Sequence, residues 1–167
     1  MAEEDTIFSS NIKFAGVFSF SSFYQFCYDW LTEETGLDVG EDKYVEKLQG
    51  DSKDIDVEWT GEKKVTDYFK FEISVGFEVR NLTQVEITQN NTKIKTNKGS
   101  IKVKVKGVLI KDYQGKFETT AFKKFLRSIY EKWVITSRID QMEDKIAGDC
   151  DEFLSQTKAY LALEGKK

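Results

Sequence analysis

Between residues 69 and 80 every odd position is apolar (Phe69, Phe71, Ile73, Val75, Phe77, Val79) and every even one is charged or small (Lys70, Glu72, Ser74, Gly76, Glu78, Arg80). Wound as a helix, the segment would scatter its apolar side chains around the whole circumference; extended, it sets all of them on one side. It is therefore a long strand with one buried and one wetted face, the pattern of an antiparallel sheet covered on one side only.

Neighbouring segments extend this pattern. Ile7 to Phe20 forms one strand or two short ones, and Tyr44 to Gln49 and Ile55 to Thr60 form two more. Thr83 to Gln89 runs on toward Thr96, and Ser100 to Tyr113 follows with Ile101, Val103 and Val105 facing inward. The spacing predicts a hairpin turn at Asn81-Leu82, a bulge at Asn90-Asn91 and a second tight turn at Asn97-Lys98-Gly99. A chain of 167 residues would ordinarily hold about eight prolines; this one has none, so nothing interrupts the alternations. Long uninterrupted strands imply a strongly twisted, curved sheet.

Two segments change period. Ser21 or Ser22 caps a helix in which Phe23, Phe26, Cys27, Trp30 and Leu31 share a stripe, ending near Gly36. From Thr119 or Thr120 a 3.6-residue period runs through Phe122, Phe125, Leu126, Ile129, Tyr130, Trp133, Ile139, Met142, Ile146, Cys150, Phe153, Leu154, Tyr160 and Leu161. As a single helix it would be roughly 69 Å long, against a radius of gyration of about 15 Å for a body of this size. A break at Trp133 to Ser137 or at Ala147-Gly148, or a projecting end, resolves the excess. The expectation is that the first half covers the sheet, while Met142, Ile146, Phe153, Leu154, Tyr160 and Leu161 on the far half meet another copy.

The expected fold is α+β: a curved antiparallel β-meander packed against a short N-terminal helix and a long C-terminal helix. Residues 1–138 form the compact body, and 139–167 the distal helix, part of the same domain or an oligomerisation tail. The order strand, helix, meander, long terminal helix resembles the helix-grip arrangement of START-like domains over most of the chain. That resemblance implies a cavity between sheet and helix for a lipid or other apolar ligand, and assigns no ligand residues. Trp30, Trp59 and Trp133 either line such a cavity or fill an ordinary core.

Composition narrows the chemistry. The chain lacks histidine, which removes triads based on it, HExxH zinc hydrolases and zinc deaminases. Its glycines form no GxGxxG or P-loop pattern, and Gly76 and Gly107 fall inside strands, where they mark curvature or close backbone approach. The carboxylate groups Glu41-Asp42, Asp51-Asp54-Asp56-Glu58 and Asp149-Asp151-Glu152 have neither EF-hand spacing nor a facing partner evident from sequence. Cys27 and Cys150 lack metal spacing and suit a reduced, cytoplasmic chain. Neither a secretory leader nor a membrane-spanning run is expected.

Charge is polarised along the chain: residues 1–62 carry 4 Lys against 15 Asp or Glu, a balance of −11, and residues 63–138 carry 17 basic against 7 acidic groups, a balance of +10. Acidic and basic thirds either compensate each other in the fold or face different partners. Lys93, Lys95, Lys102, Lys104 and Lys106 are the candidate contact with an anionic partner, since ammonium groups two residues apart on a strand form a positive stripe. The same lysines would equally serve as a solvated face that guards a sheet edge. With only 3 Arg and no nucleic-acid-binding motif, sequence-specific nucleic acid is not expected.

The expected protein is a non-catalytic interaction or assembly module without cofactor or metal. Its expected partner is itself, another protein or an anionic membrane surface. An apolar-ligand or lipid carrier is the alternative, and an enzyme working through carboxylates or lysines stands third.

Overall fold

The computed structural model describes residues 3–115, 120–134 and 136–165. Strands β1 (Glu3–Val17), β2 (Asp38–Gln49), β3 (Ser52–Lys64), β4 (Phe69–Gln89) and β5 (Thr92–Lys111) form one curved antiparallel sheet in the order β1-β5-β4-β3-β2. Helix α1 (Phe20–Asp29), prolonged by a π-helical turn at Trp30–Glu34, connects β1 at one edge to β2 at the other. Helix α2 (Ala121–Ile129) ends in a second π-helical turn, Tyr130–Val134, and α3 (Thr136–Gly165) completes the chain. The α+β architecture is the one expected from the two periodicities, and the expected break at Trp133 to Ser137 includes residue 135, which lies outside the described residues. The Trp133 side chain and the alternative helix start at Thr119 lie outside the described residues.

The 69–80 alternation is half of a longer strand. β4 continues to Gln89, so the expected turn at Asn81-Leu82 is a bulge, with a register shift between Arg80 and Thr83 and Asn81 at φ 55°. The turn lies instead at Asn90-Asn91, whose φ angles of 54° and 61° suit a two-residue hairpin of the type asparagine tolerates. The expected turn at Asn97-Lys98-Gly99 is continuous strand. Its glycine answers the bulge: a Cβ on Gly99 would lie 3.0 Å from both the Arg80 carbonyl oxygen and the Leu82 Cα. One extra residue in β4 reverses which side chains face inward. Val85 and Ile87 thereby join Ile94 on the open face of the β4–β5 extension.

Helices α1 and α3 lie on the same face of the sheet. Ser19 caps α1, its Oγ accepting from the Ser22 amide at 3.4 Å, two or three positions before the expected cap. At the other end Lys63 Nζ donates to the Thr35 carbonyl at 3.1 Å, and Gly36 turns the chain away at φ 73°. Helix α1 covers the β2 to β4 side: Phe23 lies 5.7 Å from Phe77, and Tyr24 5.0 Å from Trp59, between ring centroids. Helix α3 lies along β1 and β5. Its close approach depends on Gly107, where a Cβ would sit 2.7 Å from Cys150 Sγ and 3.3 Å from Ile146 Cγ1. Phe18, Cys27, Ile55, Val79, Val103, Leu109, Ile146, Cys150 and Phe153 are each 0% exposed. A ligand-sized void against any of them would show as accessible wall, so these side chains form a packed core.

Candidate functional site

The open face of the sheet carries the lysine row, and the strand register gives its neighbours. Lys102 pairs across to Lys13 on β1 and to Glu78 on β4, Lys104 to Asn11 and Gly76, and Lys106 to Ser9 and Ser74. Lys104 Nζ donates to Glu78 Oε1 at 2.7 Å, and this hydrogen bond holds the Glu78 carboxyl below its ordinary range. Farther across, Arg80 pairs with Asp56 at 2.9 Å and Lys70 with Glu62 at 3.1 Å. The acidic β3 and basic β5 thus compensate partly across β4, while Lys13 of β1 sits across the ladder from Lys102. Where Ser74 and Gly76 offer little side chain, a hollow of about 400 Å³ opens between Lys104 and Lys106 on one wall and Asp42, Glu58 and Thr60 on the other.

Lys93 and Lys95 do not belong to this row. Along continuous β5 they have the parity of Ile101 and Val103, and they lie on the β4–β5 extension opposite Thr88 and Glu86. A strand cannot turn odd and even residues to the same side without a bulge, and the bulge here is in β4. The expected five-lysine patch therefore separates onto two faces.

The expected oligomer contact is also redistributed. Ile146, Phe153 and Leu161 are at most 1% exposed and Leu154 is 6% exposed, all within the core. Met142 and Tyr160 are half-buried against it, with Tyr160 stacked 4.5 Å from Phe26. These residues are occupied within the chain, because the distal half of the terminal helix, not the first half, covers the sheet. From Ile139 on, α3 packs along β1 and β5.

The first half, α2, is turned inside out. Phe122, Phe125, Leu126 and Ile129, spaced i, i+3, i+4, i+7, form one stripe and are 68%, 58%, 39% and 38% exposed. The opposite side is held to the end of the sheet by ions. Arg127 lies 3.5 Å from the buried Asp112 and 3.9 Å from Glu3. Glu131, in the π-helical turn, accepts from the Tyr68 hydroxyl and lies 3.9 Å from Lys111, which also pairs with Asp5 at 2.9 Å and Glu3 at 3.4 Å. Burial alone would favour the neutral Lys111 amine, but the Asp5 hydrogen bond and the Glu131 and Glu3 charges hold its pKa above the ordinary value. Sequence reasoning assigned the stripe to the core and missed this network. The available signal was Arg127 and Glu131, four apart on the side of the helix opposite the stripe.

The carboxylate groups are engaged locally. Glu41 accepts from Tyr24 at 2.5 Å and Trp59 Nε1 at 3.3 Å, Asp42 from Thr60 at 2.5 Å, and Asp54 from the Asn81 amide at 3.0 Å, while Asp149 pairs with Lys145 at 3.0 Å. Among the described residues no cluster of three or more His, Cys, Asp or Glu is placed to hold a metal, and no helix is long and apolar enough to cross a membrane. No family model, curated protein or solved structure matches the chain.

Proposed function

We propose that the chain is a non-catalytic interaction module that docks through the outward face of α2 onto a surface offering apolar and anionic groups together. The observation that supports this reading is the inversion of α2: its ionic side is used to hold the helix, and its apolar stripe faces solvent. Isolated exposed apolar side chains are ordinary, but a contiguous stripe on a tethered helix marks a contact surface. Lys13 and Lys102, side by side across the β1–β5 ladder, add local positive charge on the open sheet face that favours an anionic partner.

The test is site-specific photo-crosslinking in the cells that make the protein, with a benzoylphenylalanine in place of Phe125 and, as a control, in place of the exposed Lys158 of α3. A discrete protein or lipid adduct at 125, identified by mass and absent at 158, is the expected result. Equal or no labelling at the two positions removes α2 as the docking surface.

A further inference from the structure

We infer that the surface α2 meets is an anionic phospholipid bilayer, and that the helix lies in its interface with Phe122 and Phe125 inserted among the headgroups. This rests on the docking reading above and names its partner. The helix has the features of an interfacial anchor: a narrow apolar face containing two phenylalanines, exposed Lys123 beside it, and no acidic residue from Ala121 to Ile129. The rest of the body holds it in place before contact, since Thr120 caps its first turn by accepting from the Lys123 amide and Arg127 and Glu131 tie its inner side to the sheet. Binding therefore does not require the helix to form on the membrane, which lowers the ordering cost of association.

Charge and area argue against a second copy of the chain as occupant. Two α2 stripes face to face would bring the Lys123 side chains toward each other with no acidic group between Ala121 and Ile129 to answer them. The exposed apolar area of the stripe is about 400 Å², judged from ordinary side-chain areas, whereas a stable protein interface buries about 800 Å² on each partner. A bilayer needs no such area when anionic headgroups supply the remaining attraction, and the resulting association is reversible and salt-sensitive.

Vesicle flotation decides the matter, using the full chain with phosphatidylcholine vesicles and with vesicles of three parts phosphatidylcholine to one part phosphatidylserine. The protein is expected to float with the second and not the first. Phe122→Ser with Phe125→Ser should weaken binding about tenfold or more, and Lys123→Glu about tenfold or more. These positions are exposed, and unchanged circular dichroism and urea midpoint show that the fold is intact. Failure of the wild-type chain to float, or flotation unaffected by the Phe122 and Phe125 substitutions, overturns the lipid assignment. If flotation fails while the position-125 crosslink captures a protein, the lipid assignment falls and the docking reading stands; if both fail, both fall.

Discussion

Gly107 lets a helix and a sheet approach more closely than any side chain would permit. A methyl group there would collide with Cys150 Sγ at 2.7 Å, and the collision lies in a packed interior that yields little. Gly107→Ala is expected to cost about 1–3 kcal/mol in urea unfolding. Adding Cys150→Ala, which removes the sulfur, should recover part of that loss; strict additivity of the two substitutions would show that the contact is not the cause. The cysteines themselves are inert at neutral pH. Both are 0% exposed, and burial pushes the Cys27 thiol well above its ordinary value. An aromatic disulfide reagent at pH 8 should label neither thiol in the folded protein and both in urea; fast labelling of the native state would contradict this packing. On the open face, the Glu78 and Lys104 side chains are 37% and 48% exposed, so solvent screens their pair. Glu78→Gln should cost no more than about 1 kcal/mol.

At the scale of elements, α3 has the largest consequence. Its stripe of Ile146, Cys150, Phe153, Leu154, Thr157 and Leu161 is buried along the sheet. Truncation after Gly148 would remove five of those six residues and expose the inner faces of β1 and β5, so the shortened chain should lose its cooperative unfolding transition. Retention of a folded sheet would return the distal helix to the role of an appendage. Gly148 itself lies inside the helix, and a Cβ added there would meet nothing within 4 Å. Gly148→Ala should therefore raise stability by about 0.5–1 kcal/mol, measured by the same denaturation. The Asn-containing sites of β4 and β5 show why element boundaries are hard to place from sequence. Asn81, Asn90 and Asn91 all adopt positive φ, yet one sits in a bulge and two in a turn. Local preference for that conformation is the same in each case; Gly99 across the ladder makes room for the bulge at Asn81.

For the whole molecule, protonated groups in the interior set the response to pH. Burial, with the Asp149 charge adding to it, pushes the Cys150 thiol up to about 12; burial and the Glu41 carboxylate bring the Tyr24 hydroxyl to about 12. In the unfolded chain these groups ionise near about 8.5 and 10. The native state thus holds its protons more tightly, and their contribution is complete below about pH 8.5. It is lost progressively as pH rises toward 12, and Lys111, also raised, adds to the loss in the alkaline range. The urea midpoint should be level from pH 7 to about 8.5 and decline above it; a midpoint that rises above pH 9 would contradict the sign. The period-two run from Phe69 to Val79, the aromatic stripe of α1 and the 3.6-residue period after Thr120 determined the α+β class and the order of its elements, because those periodicities reside in neighbouring residues. Sequence could not decide which half of the terminal helical stretch is buried, since Phe122 to Ile129 and Ile146 to Leu161 carry equally apolar stripes. Tertiary structure decided it through groups distant along the chain: Gly107 admits α3 against the sheet, while Glu3, Asp5, Lys111 and Asp112 engage the polar side of α2 and leave its apolar side outward.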